Sequence, residues 1–168
     1  AAGCGEVRYR DTIRPETAPE LIVLHGDIGM VEVVQSRIAR VHYAVRAPEG
    51  TALVQHTEFD GTLQVNTRCR TPILCSVDAE VHVPVGVDVE IELDRGEVWA
   101  TGAGDINVSV GEGSVDVEGS GRTTIQVGSG NARGINRHAD QVRVAVGRGN
   151  IQTYVAPDSW NISIVASG

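Results

Sequence analysis

The chain contains no lysine: its 14 basic residues are all arginine, set against 22 acidic ones for a formal charge of −8. Without lysine there is no Schiff-base chemistry and no lysine to grip the phosphates of a nucleotide loop. The acidic balance disfavours a nucleic-acid groove or a patch for anionic membranes. Aromatic residues make up only 4% of the chain, with one Phe and one Met, so the core has to be filled by Val, Ile and Ala in thin, regular layers. Long apolar runs are lacking too; residues 21–24 fall far short of the ~20 residues that a spanning helix needs. Leucine is scarce, 6 residues against 26 valines. β-Branched side chains crowd a helical turn but pack well on a pleated sheet, which argues against an all-α fold. A length of 168 residues suits one ordinary domain and excludes two large ones.

What the chain has instead is alternation. Apolar and polar residues exchange with period two, the mark of half-buried strands, over 21–24, 28–34, 38–46, 51–57, 62–67, 77–83 and 87–93. Ala47-Pro48-Glu49-Gly50 and Asp60-Gly61 read as tight turns, where proline presets φ and glycine supplies a positive one. Pro15 and Pro19 make residues 1–19 an extended arm or tether. Residues 20–168 then form a single domain, less regular over 20–75, where a β-meander is expected, and repetitive over 76–168.

From Asp94 onward the sequence repeats. Gly102-Ala103-Gly104-Asp105-Ile106, Gly111-Glu112-Gly113-Ser114-Val115, Gly128-Ser129-Gly130-Asn131-Ala132 and Gly147-Arg148-Gly149-Asn150-Ile151 are each followed by alternating residues, with Arg95-Gly96-Glu97-Val98 as a degenerate first copy. The second glycines, at 96, 113, 130 and 149, are 17, 17 and 19 residues apart, with an offset copy at 104. A unit such as Ile106, Val108 and Val110 cannot bury itself alone, so neighbouring units must stack. Stacked at the ~4.8 Å strand spacing they give an all-β solenoid with glycine at the sharp turns. Asp105, Asn131 and Asn150 then serve as turn residues whose side chains bond nearby backbone.

These copies, together with Gly26-Asp27-Ile28 ahead of Val31 and Val33, and Val81-His82-Val83-Pro84-Val85-Gly86, carry a resemblance. Over residues 20–168 the chain resembles the bacterial β-strand-repeat proteins named "putative adhesins", or head-domain auto-transporter adhesin-like domains. The resemblance implies a β-solenoid at the cell surface, in many members a lipoprotein, with no established reaction. Ala132–His138 departs from the plain repeat.

Three cysteines bear on compartment. Ala1-Ala2-Gly3 directly before Cys4 resembles the lipobox that ends a bacterial lipoprotein signal, which would make Cys4 a lipid anchor; the alternative is a residual N-terminus with Cys4 free or joined to another molecule. Cys69 and Cys75 are separated by five residues, which does not match zinc-site spacing and suits a loop-closing disulfide. Two independent buried thiols are the other reading. Both inferences point to an exported protein.

Catalytic patterns are poor. His25, His42, His56, His82 and His138 form no His-Glu-x-x-His and no close pair, so no metal is expected; His42 and His82 sit inside alternating strands as half-exposed residues. Calcium in the manner of glycine-rich β-rolls needs an Asp two places after the last turn glycine, whereas Asp105 and Asn131 follow at once. Gly128-Ser129-Gly130 belongs to the repeat and not to a nucleophile elbow. Carboxylates such as Asp78, Glu80, Asp88, Glu90, Glu92, Asp116 and Glu118 alternate along strands as a solvated wall. Trp99, Tyr154 and Trp160 are too few to make sugar-stacking platforms expected, and both tryptophans read as packing or end-capping residues.

The expectation is a non-enzymatic, exported cell-surface protein with an adhesive or scaffolding role, without cofactor. Its partner is an unknown surface ligand or another copy of itself. Nucleic acid is not expected, and membrane only through a lipid on Cys4. The rival is a filament subunit joined end to end through open β-edges, with no capping helix after Trp160. A carbohydrate-active β-helix enzyme is the weaker alternative.

Overall fold

A computed structural model of the chain describes residues 5–71, 73–102, 104–136, 141–155 and 162–166. Among them the secondary structure is all β: β1 (Glu6–Ile13), β2 (Leu21–Gln35), β3 (Arg40–Pro48), β4 (Ala52–Phe59), β5 (Thr62–Cys69), β6 (Ser76–Val83), β7 (Asp88–Gly102), β8 (Ile106–Gly119), β9 (Thr123–Asn136), β10 (Val142–Val155) and β11 (Ile162–Ala166). The strands make one large open sheet in the order β1-β3-β6-β2-β7-β8-β9-β10-β11, with β5 also on β2 and β4 on β5.

From β2 through β11 along this path every pairing is parallel. Leu24, Ile91, Val108, Ile125 and Val144 stand in one register column, each buried, and Val31, Val98, Val115 and Ala132 in another. A parallel ladder places residues of the same kind side by side, so a core without large rings is built from columns of like aliphatic side chains. Each long strand has two limbs. The second limb returns over the first, so that a Cβ added to Gly134 in the second limb of β9 would lie 3.5 Å from Ile125 Cδ1 in its first. Both limbs feed one continuous hydrophobic core.

Between the limbs runs a glycine ladder. Gly29, Gly96, Gly113, Gly130 and Gly149 occupy one register position. The last four have φ between 140° and 149°, a region closed to side chains. A Cβ on Gly113 would stand 1.7 Å from the carbonyl oxygen of Gly96, so even a methyl group finds no room. The expected turn at the second glycine is therefore a bend inside a continuous strand. The copy at 104 is a different element: Gly102 ends β7, and Asp105 lies in the connection to β8. There the Asp105 N–H donates to Asp88 Oδ1 (2.8 Å), and Asp105 Oδ1 accepts from the Arg122 N–H (2.9 Å). Asp105 thus caps the opposite corner from Asn131 and Asn150, which sit in strands just after the ladder.

The expected meander in the first half is corrected by the topology. Only β4 and β5 pair as chain neighbours; β3 lies between β1 and β6, and β2 joins β5 and β6 to β7. Segments 21–24 and 28–34 are one strand because β7 pairs along both, so the ladder carries the chain through Gly26-Asp27-Ile28. The other edge of β2 is shared, residues 21–26 pairing with β5 and 31–35 with β6. Within the stretch expected as an extended arm, β1 pairs antiparallel with β3 along its whole length, bringing Ile13 opposite Val41 in the core.

Candidate functional site

Alternation fixes which side chains look outward from the second limbs. In β7, Val98 and Ala100 are buried, so Trp99 between them must point away from the core. The registers extend its position into a row across eight strands: Thr12, His42, Glu80, Glu32, Trp99, Asp116, Arg133 and Gln152. Two grooves open along this face.

The first groove, of about 600 Å³, is lined by residues of β1, β3, β6 and β2, including Arg10, Met30, Glu32, His42, Tyr43, Asp78 and Glu80. The rings of His42 and His82 meet edge to face with centroids 5.1 Å apart. The two residues are 40 positions apart in sequence, which is why spacing alone shows no pair. His42 Nδ1 lies 2.6 Å from Thr12 Oγ1, and His82 Nε2 contacts Glu80 Oε1. Burial, with Arg40 and His82 nearby, holds the His42 pKa below the usual histidine value of 6.5, Glu80 opposing. Tyr43 donates to Asp11 Oδ2 at 3.5 Å, and its phenol is pushed above 10.0 by burial, then by Asp11 and Tyr9. The Asp78 carboxylate accepts the Met30 N–H at 2.9 Å, which ties β6 to β2 at the bend.

The second groove, of about 420 Å³, crosses β7, β8, β9 and β10. Trp99, 47% exposed, forms one wall. Arg133 Nη1 donates to Asp116 Oδ2 at 3.2 Å, and Asn150 Nδ2 donates to Asn131 Oδ1 at 3.2 Å, while Gln152 borders the far side. These amides and charges stand one strand apart with no apolar cover. The groove is thus a polar surface beside one flat ring, with the Ser114 hydroxyl also on its lining.

The outward side of the first limbs is different in chemistry. His25 Nε2 lies 3.8 Å from Glu92 and 4.0 Å from Glu90, beyond hydrogen-bonding reach of either carboxylate. At the ladder bend Arg95 pairs with Glu112 at 3.4 Å, both exposed. Among the described residues no group of three His, Cys, Asp or Glu side chains is placed to hold a metal ion.

The other residues singled out from sequence fall as follows. Cys69 and Cys75 are joined, their Cα atoms 5.8 Å apart, and the Cys69 N–H donates to Asp27 Oδ2 at 2.8 Å. Gly111, Gly128 and Gly147 also stack, each with the carbonyl of the preceding strand within 2.6 Å of where a Cβ would stand. Cys4, His138 and Trp160 lie outside the described residues. Trp99, expected to pack or cap, is an open surface residue; the buried Val98 and Ala100 on either side were the signal for it.

No protein-family profile matches the chain, and no curated protein does. Among solved structures it is similar to a "putative cell adhesion protein" from Clostridium sporogenes, at 12% identity and TM-score 0.52, covering 96% of this chain and 100% of that one. A "putative adhesin" from Parabacteroides distasonis aligns at 12% identity over 95% and 97% of the two chains with TM-score 0.41. One from Bacteroides fragilis aligns at 14% identity over 96% and 95% with TM-score 0.36. The Clostridium structure shares its fold with this chain over that aligned length.

Proposed function

We propose that this chain is an exported, cell-surface adhesive or scaffolding module that works by contact and not by chemistry, and that its residues 76–168 form a β-solenoid tethered through lipid on Cys4. The observation that carries this reading is the outward row from Thr12 to Gln152, polar at every position but Trp99, with two open grooves along it. Register steps of 17, 17 and 19 residues, from Gly96 to Gly113, Gly130 and Gly149, support a solenoid. The Cys69–Cys75 disulfide suits an oxidising compartment. The fold shared with the Clostridium protein agrees with an adhesive role.

Beads coated with the purified chain test the reading. Retention on cell or matrix surfaces above albumin-coated beads is the expected result, together with antibody access to the protein on intact producing cells. Retention equal to the control, with the protein recovered from the cytosol, overturns it.

A filament subunit is the second reading, supported by the edge at β10. Among the described residues β11 covers only 142–146, leaving the second limb of β10 paired on one side. Such an edge can template another strand. Sedimentation across protein concentration decides: strings that lengthen with concentration support end-to-end assembly, and a monomer at every concentration removes it.

A further inference from the structure

A pyranose ring offers a protein two surfaces, an apolar face of C–H groups and a rim of hydroxyls that both donate and accept. A site for it needs a flat, rigid, apolar platform and short polar side chains with both hydrogen-bond roles nearby. The groove across β7 to β10 holds both. Trp99 presents a large ring with little conformational freedom to lose. Asn131, Asn150 and Gln152 carry amides, each with a donor and an acceptor end. Asp116 and Arg133 add a carboxylate and a fork of donors, and their 3.2 Å pairing cancels their charge. Parallel pairing delivers these groups on successive strands at ~4.8 Å, comparable to one sugar ring.

We infer that this groove is a saccharide-binding site, with Trp99 as the stacking platform and Asn131, Asn150, Asp116 and Arg133 reading the hydroxyl rim. The inference rests on the adhesive reading and names the class of ligand that this face holds. The ligand is neutral. Glu32 lies in register beside Trp99, and Glu97 stands next to Ser114 on the same face, so a sialylated or uronate-bearing chain meets carboxylates at the groove's edge with Arg133 already engaged. An uncharged hexose or N-acetylhexosamine oligosaccharide meets no such repulsion.

The test uses the purified chain on immobilised neutral and acidic oligosaccharides, followed by calorimetric titration with the neutral ones that bind. Saturable binding to a neutral oligosaccharide is expected, weakened at least tenfold in Trp99→Ala, less than threefold in Trp99→Phe, and severalfold in Asn131→Ala. Thermal melting of each variant checks folding; since Trp99 faces solvent, its variants should melt close to wild type. Binding only to acidic chains, equal binding by Trp99→Ala, or no saturable binding overturns the assignment. So does a change in oligomeric state on Trp99→Ala, which would mean that a second copy covers the ring. Bead retention that survives enzymatic removal of surface glycans would sink the sugar and leave the adhesive reading intact; loss of all retention by untreated surfaces would sink the adhesive reading itself.

Discussion

The two halves of this molecule bury the same kinds of residue by opposite means. From β7 to β10 the chain advances one strand at a time, always parallel, and each side chain lies beside its counterpart one step along the sequence. Before β7 the pairings are mixed, and strands far apart in sequence meet: β1 with β3, β3 with β6, β6 with β2. The parallel part tolerates no side chain along its glycine ladder, whereas glycines of the first half such as Gly50 and Gly86 occupy open turns with nothing within 4 Å of an added Cβ. β2 joins the two. One edge of it takes β7 along both limbs, while the other edge is covered by antiparallel pairs, β5 with β4 and β6 with β3. A parallel stack leaves unpaired backbone at its ends; here β5 and β6 pair with that end in parallel, and the antiparallel β4 and β3 pair with them in turn.

Glycine substitutions break the comparison most sharply. Gly113→Val should cost at least about 4 kcal/mol or prevent folding, because a side chain there collides with the Gly96 carbonyl at a φ closed to valine. Chemical denaturation of the variant checks it. Ile125→Ala comes next, at about 2–5 kcal/mol in the same assay, because it empties a fully buried position between Val108 and Val144. In the first half, replacing both Cys69 and Cys75 by serine should cost about 2 kcal/mol, since the bond closes a short loop. Hydrogen exchange should then rise around 69–76 and stay unchanged in β8 and β9. Gly50→Ala is the mild counterpart of Gly113→Val, at about 1 kcal/mol, for strain alone without collision.

A pH series sharpens the contrast further, since the pair of neighbouring histidines lies in the first half. His42 is held below its ordinary value of 6.5 by burial first and then by Arg40 and His82, so the fold favours its neutral form. Folded-state depression of a histidine stabilises above the unfolded pKa, and that contribution disappears as pH falls through the folded one. Tm should therefore drop on acidification below about 6.5 in the wild type. In His42→Gln the drop should be smaller; an unchanged slope would show that other groups set it.

Much of the second half was readable in advance. Alternation placed the strands, and the spacing of 96, 113, 130 and 149 is the spacing of the register. The exception is instructive: Gly104-Asp105 looks like the other copies in local composition but lies at the opposite corner, because glycine followed by a small polar residue suits either bend. The meander expected over 20–75 failed for a related reason. Period two reports which face of a strand is buried and carries no information about which strand lies alongside. The grooves were still less legible. Trp99 could be turned outward from its neighbours alone, but its proximity to Asp116, Arg133 and Asn150 needs the register of four strands.

What the sequence determined by itself was local: strand content, from valine and alternation; the ladder, from glycines that leave no alternative to backbone contact; and the Cys69–Cys75 bond, from two cysteines on one short loop. Only the tertiary structure decided that β2 lies between β6 and β7, that His42 meets His82, and that an acidic chain poor in aromatics exposes Trp99 beside a row of amides. Backbone conformation and side-chain direction follow from the residues nearest in sequence. Partners across a sheet follow from closing long loops so that every buried edge is paired, a condition that no single segment contains.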